Sequence, residues 1–214
     1  PAKTRRYDAA ERRRRAAIER AHTRGAILDG AQTLFLRDGY AASSMASIAA
    51  AASVSAQTIY LAVGSKADVL RAVIARAVLD DAAAHELTEL PWVARLAAEP
   101  DPVEQLRLLT AELVALAQRA GPLWALLADA ARHDRALIAD VHEHEAGRLR
   151  DQRRLLELIH GLAVPLERAV DIVGGFARPD LWQTFVVDRG WSPREVEDLL
   201  FSTLRHLLLT PPRE

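Results

Sequence analysis

The sequence predicts an all-α protein of about nine helices, and three observations predict it. Apolar residues recur at helical spacing, as in Ile27, Ala31, Leu34 and Phe35 and again in Leu106, Leu109, Leu113 and Leu116. No sustained two-residue alternation bounded by turn residues argues for a strand. Helix boundaries are strongly punctuated. In chain order, "LFLRD" runs into Gly39, a good residue just past a helix end. Ser44 can cap a helix over 45–52, and a second short helix is expected over about 55–63. "SKAD" at 65–68 pairs an N-cap serine with an acid three residues on. "DPVE" at 101–104 places Asp at the cap, Pro at the first position and Glu at the third, and "SPRE" at 192–195 repeats the arrangement. Gly121-Pro122 is expected to break a helix pair, and Pro179 to restart a helix after Gly174-Gly175.

Composition bounds the class. The 214 residues suit one or two domains, and half of them are apolar, enough for a sizeable core. The absence of cysteine excludes disulfides and thiolate metal sites. No stretch of 18 uninterrupted apolar residues offers a membrane span, and the early arginines precede no apolar segment of a secretory signal. A cytoplasmic protein is the expectation. The overall charge of −1 hides a polarity: residues 1–24 carry nine Lys/Arg against three acids, residues 25–76 are nearly balanced, and the remainder is acidic by eight. One end attracts polyanions and the other repels them, as expected of a molecule that presents one end to nucleic acid.

Between these poles lies "SSMASIAAAASVSAQTIYLAVGSK", residues 43–66, with four consecutive alanines. Alanine favours helix but buries little area, so its use suggests a close approach. Two short helices joined by a tight turn at Ser53-Val54 make a helix-turn-helix. Ala49 then lets the second helix cross the first closely, with Ile48, Ala52, Ile59 and Ala62 turned inward and Ala50 and Ala51 left as surface positions.

The run "AQTLFLRDGYAASSMASIAAAASVSAQTIYLAVGSKADVL" resembles the DNA-binding domain of the tetracycline-repressor (TetR) family of transcriptional regulators. The resemblance covers about 45 residues and rests on Ala31, Leu34-Phe35, Gly39-Tyr40, Ser44-Met45, Ile48-Ala49, Ala52, Val54-Ser55, Thr58-Ile59-Tyr60, Lys66 and Val69-Leu70. Two positions depart from the family pattern: Ser53 stands where glycine is usual, and Val63 where an aromatic is usual. A serine held left-handed there costs about 1 kcal/mol relative to glycine.

The resemblance implies that the second helix enters the major groove by its N-terminal residues. Gln57 is then the base reader, since its amide can pair bidentately with an adenine edge. Ala56 can set its methyl against a thymine methyl. Ser55 and Thr58 can donate to phosphate or base, and Tyr60 and Lys66 match phosphate-contacting positions. Ser44 caps the first helix, whose free N–H groups can also meet a phosphate. Arg12, Arg13, Arg14 and Arg15 lie in a basic arm that can form a helical extension or an unstructured tail, gripping the backbone or entering the minor groove.

The expected organisation is a basic arm over 1–22, a three-helix DNA-binding domain over 23–70, and a ligand-binding and dimerisation domain over 71–214. For the last, the resemblance implies a helical ligand cavity and a dimer formed by two closing helices, here about 165–189 and 193–209. Trp92, Trp124, Phe176, Trp182 and Phe185 are large side chains able to line a cavity. Val196, Leu200, Thr203, Leu204 and Leu207, in a stripe with Leu199 and Leu208, are the candidate dimer residues. The expected partners are an operator in double-stranded DNA, a small-molecule effector and a second copy of the chain; no cofactor and no membrane are implied.

Other classes fit less well. "HEHE" at 142–145 sets His142 and His144 on different sides of a helix, so no metal site is expected. The charged run from Arg135 to Ile159, with Arg148, Arg150, Asp151, Arg153 and Arg154, reads as a solvated face. No glycine-rich phosphate loop, nucleophile elbow or ordered catalytic set suggests an enzyme. Two alternatives remain: an architectural DNA-binding protein held by its basic arm, and a regulator controlled by a protein partner.

Overall fold

The computed structural model describes residues 2–79 and 89–210, with side chains described from residue 11 onward except at 179 and 180. Those residues are helical nearly throughout and contain no strand; nine helices reach seven residues or more. They form two compact units, residues 1–75 and 76–214.

The first unit begins with α1, Ala2–Asp38. Gly39 terminates it in the left-handed region (φ 83°), with its N–H on the Phe35 carbonyl. The basic arm is therefore the first half of α1, a helical extension. Helix α2, Met45–Ala51, starts at Ser44, whose hydroxyl accepts from Ser47 N while Ser47 Oγ accepts from Ser44 N. Ser47 thus does the work of the glutamate usual in a reciprocal cap. Helix α3, Ala56–Ala62, is capped by Ser55, and α2 and α3 are bent 94° from one another. Ser53 supplies the turn between them at φ 55°, the only non-glycine residue with positive φ among the described residues. Helix α4, Lys66–Leu79, opens on the expected cap: Asp68 Oδ2 accepts from both Ser65 N and Ser65 Oγ. These hydrogen bonds hold the Asp68 carboxyl below the usual carboxylate range. Ile27, Ala31, Phe35, Ile48, Ile59, Val69 and Leu70 form the core.

The close approach suggested by the alanines is made partly by another residue. A Cβ on Gly30 of α1 would stand 3.1 Å from Ala51 Cβ and 3.3 Å from Ala52 N. Ala51 is exposed, as the sequence suggested, but its Cβ is constrained by this contact. The missing side chain at Gly30 and the small one at Ala51 together let α1 and α2 touch.

The second unit is arranged on α6, Pro102–Ala131, which packs against α5 (Pro91–Ala98), α7 (Ile138–Leu156), α9 (Pro179–Trp182) and α10 (Pro193–Leu209). The Asp101 and Ser192 caps form as expected, and Ser192 and Glu195 complete a reciprocal pair. Two expectations fail. Gly121-Pro122 does not break α6: Pro122 lies on the exposed face, so the helix carbonyl it leaves unpaired can meet water, while buried Ala120, Leu123, Trp124 and Leu127 hold both sides in place. Residues 165–189 are not one helix. Helix α8 is Leu166–Phe176, the chain turns at Ala177 (φ −88°, ψ 51°), and α9 runs on into a π-helical turn over Gln183–Asp188. Pro179 disfavours a helical conformation at the residue before it, which ends α8. Gly174 and Gly175 lie inside α8. At Gly174 a Cβ would come within 3.0 Å of Leu149 Cδ2, so this glycine serves α7–α8 packing.

The main core of this unit joins α5, α6, α7, α8 and α10, with Leu96, Leu106, Leu156, Val173 and Leu204 fully buried. Buried Gln105 cross-links it. Its Nε2 donates to the carbonyls of Leu96 (3.0 Å) and Leu158 (2.8 Å), and its Oε1 accepts from His160 N (2.7 Å). Val196, Leu200 and Leu204 of α10 are buried within the chain. This corrects their assignment as partner-facing residues: at spacings of four they share the inward stripe of α10. Thr203 and Leu207 are part-exposed and remain available to a partner.

Candidate functional site

Two sites emerge, one in each unit. In the first, α3 presents an exposed face. Ser55 Oγ accepts from Thr58 N (3.0 Å) and lies 2.8 Å from Thr58 Oγ1, so both hydroxyls are partly used in capping. Ala56 is half-buried and Gln57 exposed. Tyr60 is 56% exposed, an amphipathic side chain whose phenol can donate outward. Ile59 faces the core. Leu61, four residues after Gln57 on the same face, is the large apolar side chain most exposed among the described residues, at 83%. The sequence reading passed over it; its signal was a leucine on the face opposite Ile59.

Lys66 is placed differently from a freely extended phosphate contact. Its Nζ donates to the carbonyls of Tyr40 (2.9 Å) and Ser43 (3.0 Å) and stands 4.2 Å from the centre of the Tyr40 ring. It fastens the α1–α2 connection to the start of α4, leaving one N–H donor for anything else. Ser44 is exposed at the α2 N-terminus, where the first helical N–H groups have no partner in their own helix. Arg24, just past the arm on α1, donates to the carbonyl of Ala62 at the last turn of α3 (2.9 Å), a favourable place for a cation.

Arg12, Arg13, Arg14 and Arg15 are exposed on α1, and Arg15 Nε lies 3.5 Å from Glu11. Successive residues fan about 100° apart around a helix, so the four cannot face one phosphate strand together. A helix about 10 Å wide does not itself fit the roughly 6 Å minor groove, so only its side chains could reach in.

The second site is a cavity of about 180 Å³ within the second unit. Trp92, Trp124, Phe176 and Trp182 line it, four of the five aromatic candidates. Phe185 does not; its ring packs on Trp191, 4.5 Å between centroids. Leu113, Leu155 and Leu200 add apolar wall. The polar wall comes from α7, where His144, Arg148 and Gln152 recur every four residues along one stripe. The sequence reading assigned this stretch to solvent. Arg148 is instead buried, its side chain 8% exposed, and the regular spacing of His, Arg and Gln was the available signal.

Arg148 is fully engaged. It holds Glu145 through Nε (3.2 Å) and Nη2 (2.7 Å), and its Nη1 donates to the carbonyls of Gly174 and Ala177. Hydrogen bonding from Arg148 pulls the Glu145 carboxyl below its usual range. His144 packs on Trp124, ring centroids 4.6 Å apart. Burial is the main cause that pushes the His144 imidazole below its ordinary value; the Arg148 charge adds to this and the Glu145 carboxylate opposes it.

A right-angled pair of short helices packed on a longer one is the helix-turn-helix architecture. Residues 27–73 match the family of bacterial regulatory proteins described as the tetR family, and this DNA-binding segment belongs to it. Across most of its length the chain also shares the fold of solved TetR-like regulators. One from Rhodococcus sp. RHA1 is 25% identical over 86% of this chain and 94% of its own, with a TM-score of 0.57. A transcriptional regulator of the TerR/AcrR family from Aquifex aeolicus VF5 is 19% identical over 86% and 98%, with a TM-score of 0.62. NalD, the secondary repressor of the MexAB-OprM multidrug efflux pump in Pseudomonas aeruginosa, is 20% identical over 88% and 96%, with a TM-score of 0.61. No curated protein matches the chain in sequence. These similar proteins are described as transcriptional regulators or a repressor. Among the described residues no single helix is long and apolar enough to cross a membrane.

Proposed function

We propose that the protein is a cytoplasmic, ligand-responsive repressor that binds a palindromic operator as a homodimer and is released by a small molecule. The observation that carries this reading is the exposed N-terminal face of α3, with Gln57, Tyr60 and Leu61 projecting from a helix set at 94° to α2. Gln57 reads an adenine edge, and the methyl-bearing tips of Ala56 and Leu61 meet thymine methyls. Tyr60, Ser55 and Thr58, with the free N–H groups above Ser44, hold phosphates. Lys66 positions this surface and adds positive charge near it. The helical arm adds arginine contacts to the backbone, which steepens the salt dependence of binding.

The cavity supports the sensing half of the proposal: it is apolar in bulk, with a few polar groups converging on it. An effector that stabilises a state whose recognition helices no longer match the half-site spacing releases the operator. Coupling of this kind is typically worth about 1–3 kcal/mol. Helix α4 carries it, because it continues across the boundary at residue 75. Thr203 and Leu207 of α10 contribute to the partner-facing surface.

Selection of bound sequences from a random duplex library tests the reading, with wild type and Gln57→Ala side by side. A palindrome whose preference relaxes at one position in each half-site in the variant is the expected outcome, at about 1–3 kcal/mol for that base pair. Enrichment of no sequence, with binding that vanishes at moderate salt, would leave only the electrostatics of the arm and an architectural role.

A further inference from the structure

Helix α3 carries the reading surface but buries little of itself. It is seven residues long, about 10 Å, and Ile59 is its one buried side chain. Ala56, Thr58 and Ala62 are half-buried, while Gln57, Tyr60 and Leu61 stand in solvent. A helix this short is marginal by itself, so what touches its two ends sets its orientation. At the near end the turn from α2 fixes the entry: Ser53 N donates to the Ala50 carbonyl and Val54 N to the Ala49 carbonyl. Ile59 then seats the middle of α3 in the core.

The far end needs a third fixing point. Val63 N and Gly64 N both donate to the Ile59 carbonyl, at 2.8 and 3.1 Å, which leaves the last carbonyls of α3 beyond reach of its own N–H groups. The chain leaves the helix at Val63 (φ −132°, ψ −49°) and turns at Gly64 (φ 125°), so no further helical turn holds that end. Arg24 supplies the point. Its Nη1 donates to the Ala62 carbonyl at 2.9 Å, from 38 residues away in the chain. Arg24 is itself firmly based, because Ile27 and Leu28, one turn further along α1, are buried in the core.

Resting on the operator reading of α3, we propose that Arg24 is a specificity-determining positioning residue: by holding the Ala62 carbonyl it sets the tilt of α3, and with it the placing of Gln57 against a base edge. Ala62 lies three residues beyond Ile59 and Gln57 two residues before it, about 4.5 Å and about 3 Å along the helix axis. A shift of about 1 Å at Ala62 therefore moves Gln57 by roughly 0.7 Å the other way. That is enough to spoil a bidentate pair, whose bonds are good only between about 2.7 and 3.2 Å. Arg24 also shares α1 with Arg12, Arg13, Arg14 and Arg15, so the same bond keeps α3 in register with the basic arm. A residue of this kind acts on the choice of base and not on the net attraction to the duplex.

Fluorescence anisotropy on the full chain tests this with two duplexes over a series of salt concentrations. One duplex is the sequence that wild type selects from the random library. The other carries a changed base pair, in each half-site, at the position whose preference depends on Gln57. Arg24→Met should lower the discrimination between the two duplexes by roughly threefold to tenfold per half-site, while the slope of log affinity against log salt stays as in wild type. Arg24→Lys, which keeps a charged donor on a long stem, should recover part of that discrimination. Arg24→Ala serves in place of the methionine variant should that one not fold. Equal weakening on both duplexes, with a salt slope shallower by about 0.9, would make Arg24 a phosphate contact and overturn the inference. Unchanged discrimination with unchanged affinity would overturn it as well, and either result leaves the operator reading intact. Selection of no duplex by wild type would overturn the operator reading, and this inference with it.

Discussion

In the first unit the buried polar chemistry is closed, and in the second it is open. Among the described residues of the first, buried Ser43 donates to the Gly39 carbonyl, and Lys66 caps two carbonyls from across the fold. Among the described residues of that unit, no buried polar side-chain atom lacks a partner. In the second, three such atoms lack one, on residues that line the cavity: Trp124 Nε1, His144 Nε2 and Gln152 Oε1. Committed polar groups hold the outer face of the first unit in one geometry. Unsatisfied groups and an internal void are mildly destabilising, and a bound effector can recover the loss from the void.

The largest effect that would sharpen this contrast lies in the second unit, at its closed part. Gln105→Leu strands the Leu158 carbonyl and His160 N–H and should destabilise the protein by about 3 kcal/mol in denaturant titration. Gln152→Leu, a similar change at the open site, should not destabilise it. A comparable loss at both positions would erase the distinction.

Next in size is Lys66→Met, which removes two charge-assisted hydrogen bonds and the contact with the Tyr40 ring. A loss of about 2 kcal/mol in folding stability is expected. Tyr60→Phe should leave stability unchanged while weakening operator binding. A Lys66→Met variant that folds as stably as wild type but loses DNA affinity would make Lys66 a plain phosphate contact.

Ser53→Gly should act the other way and raise the melting temperature, with a gain of about 1 kcal/mol at most, because serine holds φ 55° there. An unchanged or lower stability would mean that the serine side chain offsets its backbone strain.

The smallest effect concerns pH. The folded-state pKa of His144 is lowered, so the unfolded chain takes up its proton first as pH falls. Its contribution to stability is complete above about pH 6.5 and is lost as pH drops through the folded value. His144→Phe, which preserves the packing on Trp124, should flatten the decline in melting temperature over that acid range. An identical decline in the variant would assign it to other groups.

How far the sequence could be read differs between the units for a physical reason. The caps at Ser44, Ser65, Asp101 and Ser192, the end at Gly39 and the left-handed Ser53 are settled within a few residues by backbone hydrogen bonding and sterics, so each was visible along the chain. The failures all depended on distant neighbours. Gly30 and Gly174 are required by what packs opposite them, respectively Ala51 and Leu149. Arg148 appears as one more charge in a charged run until α8 brings the carbonyls of Gly174 and Ala177 to it.

The sequence by itself determined that this chain is helical, where most of its helices start, and that two short helices meet at a tight turn around Ser53. Those properties follow from local backbone chemistry and from the period of the helix. Tertiary structure alone decided that Pro122 is tolerated on an open face, that α10 turns Val196, Leu200 and Leu204 inward, that Lys66 braces the domain, and that Trp124, His144 and Gln152 meet around one cavity with polar atoms unmatched. Each of these depends on which surfaces come together in space, and helical periodicity names a face without naming what will cover it.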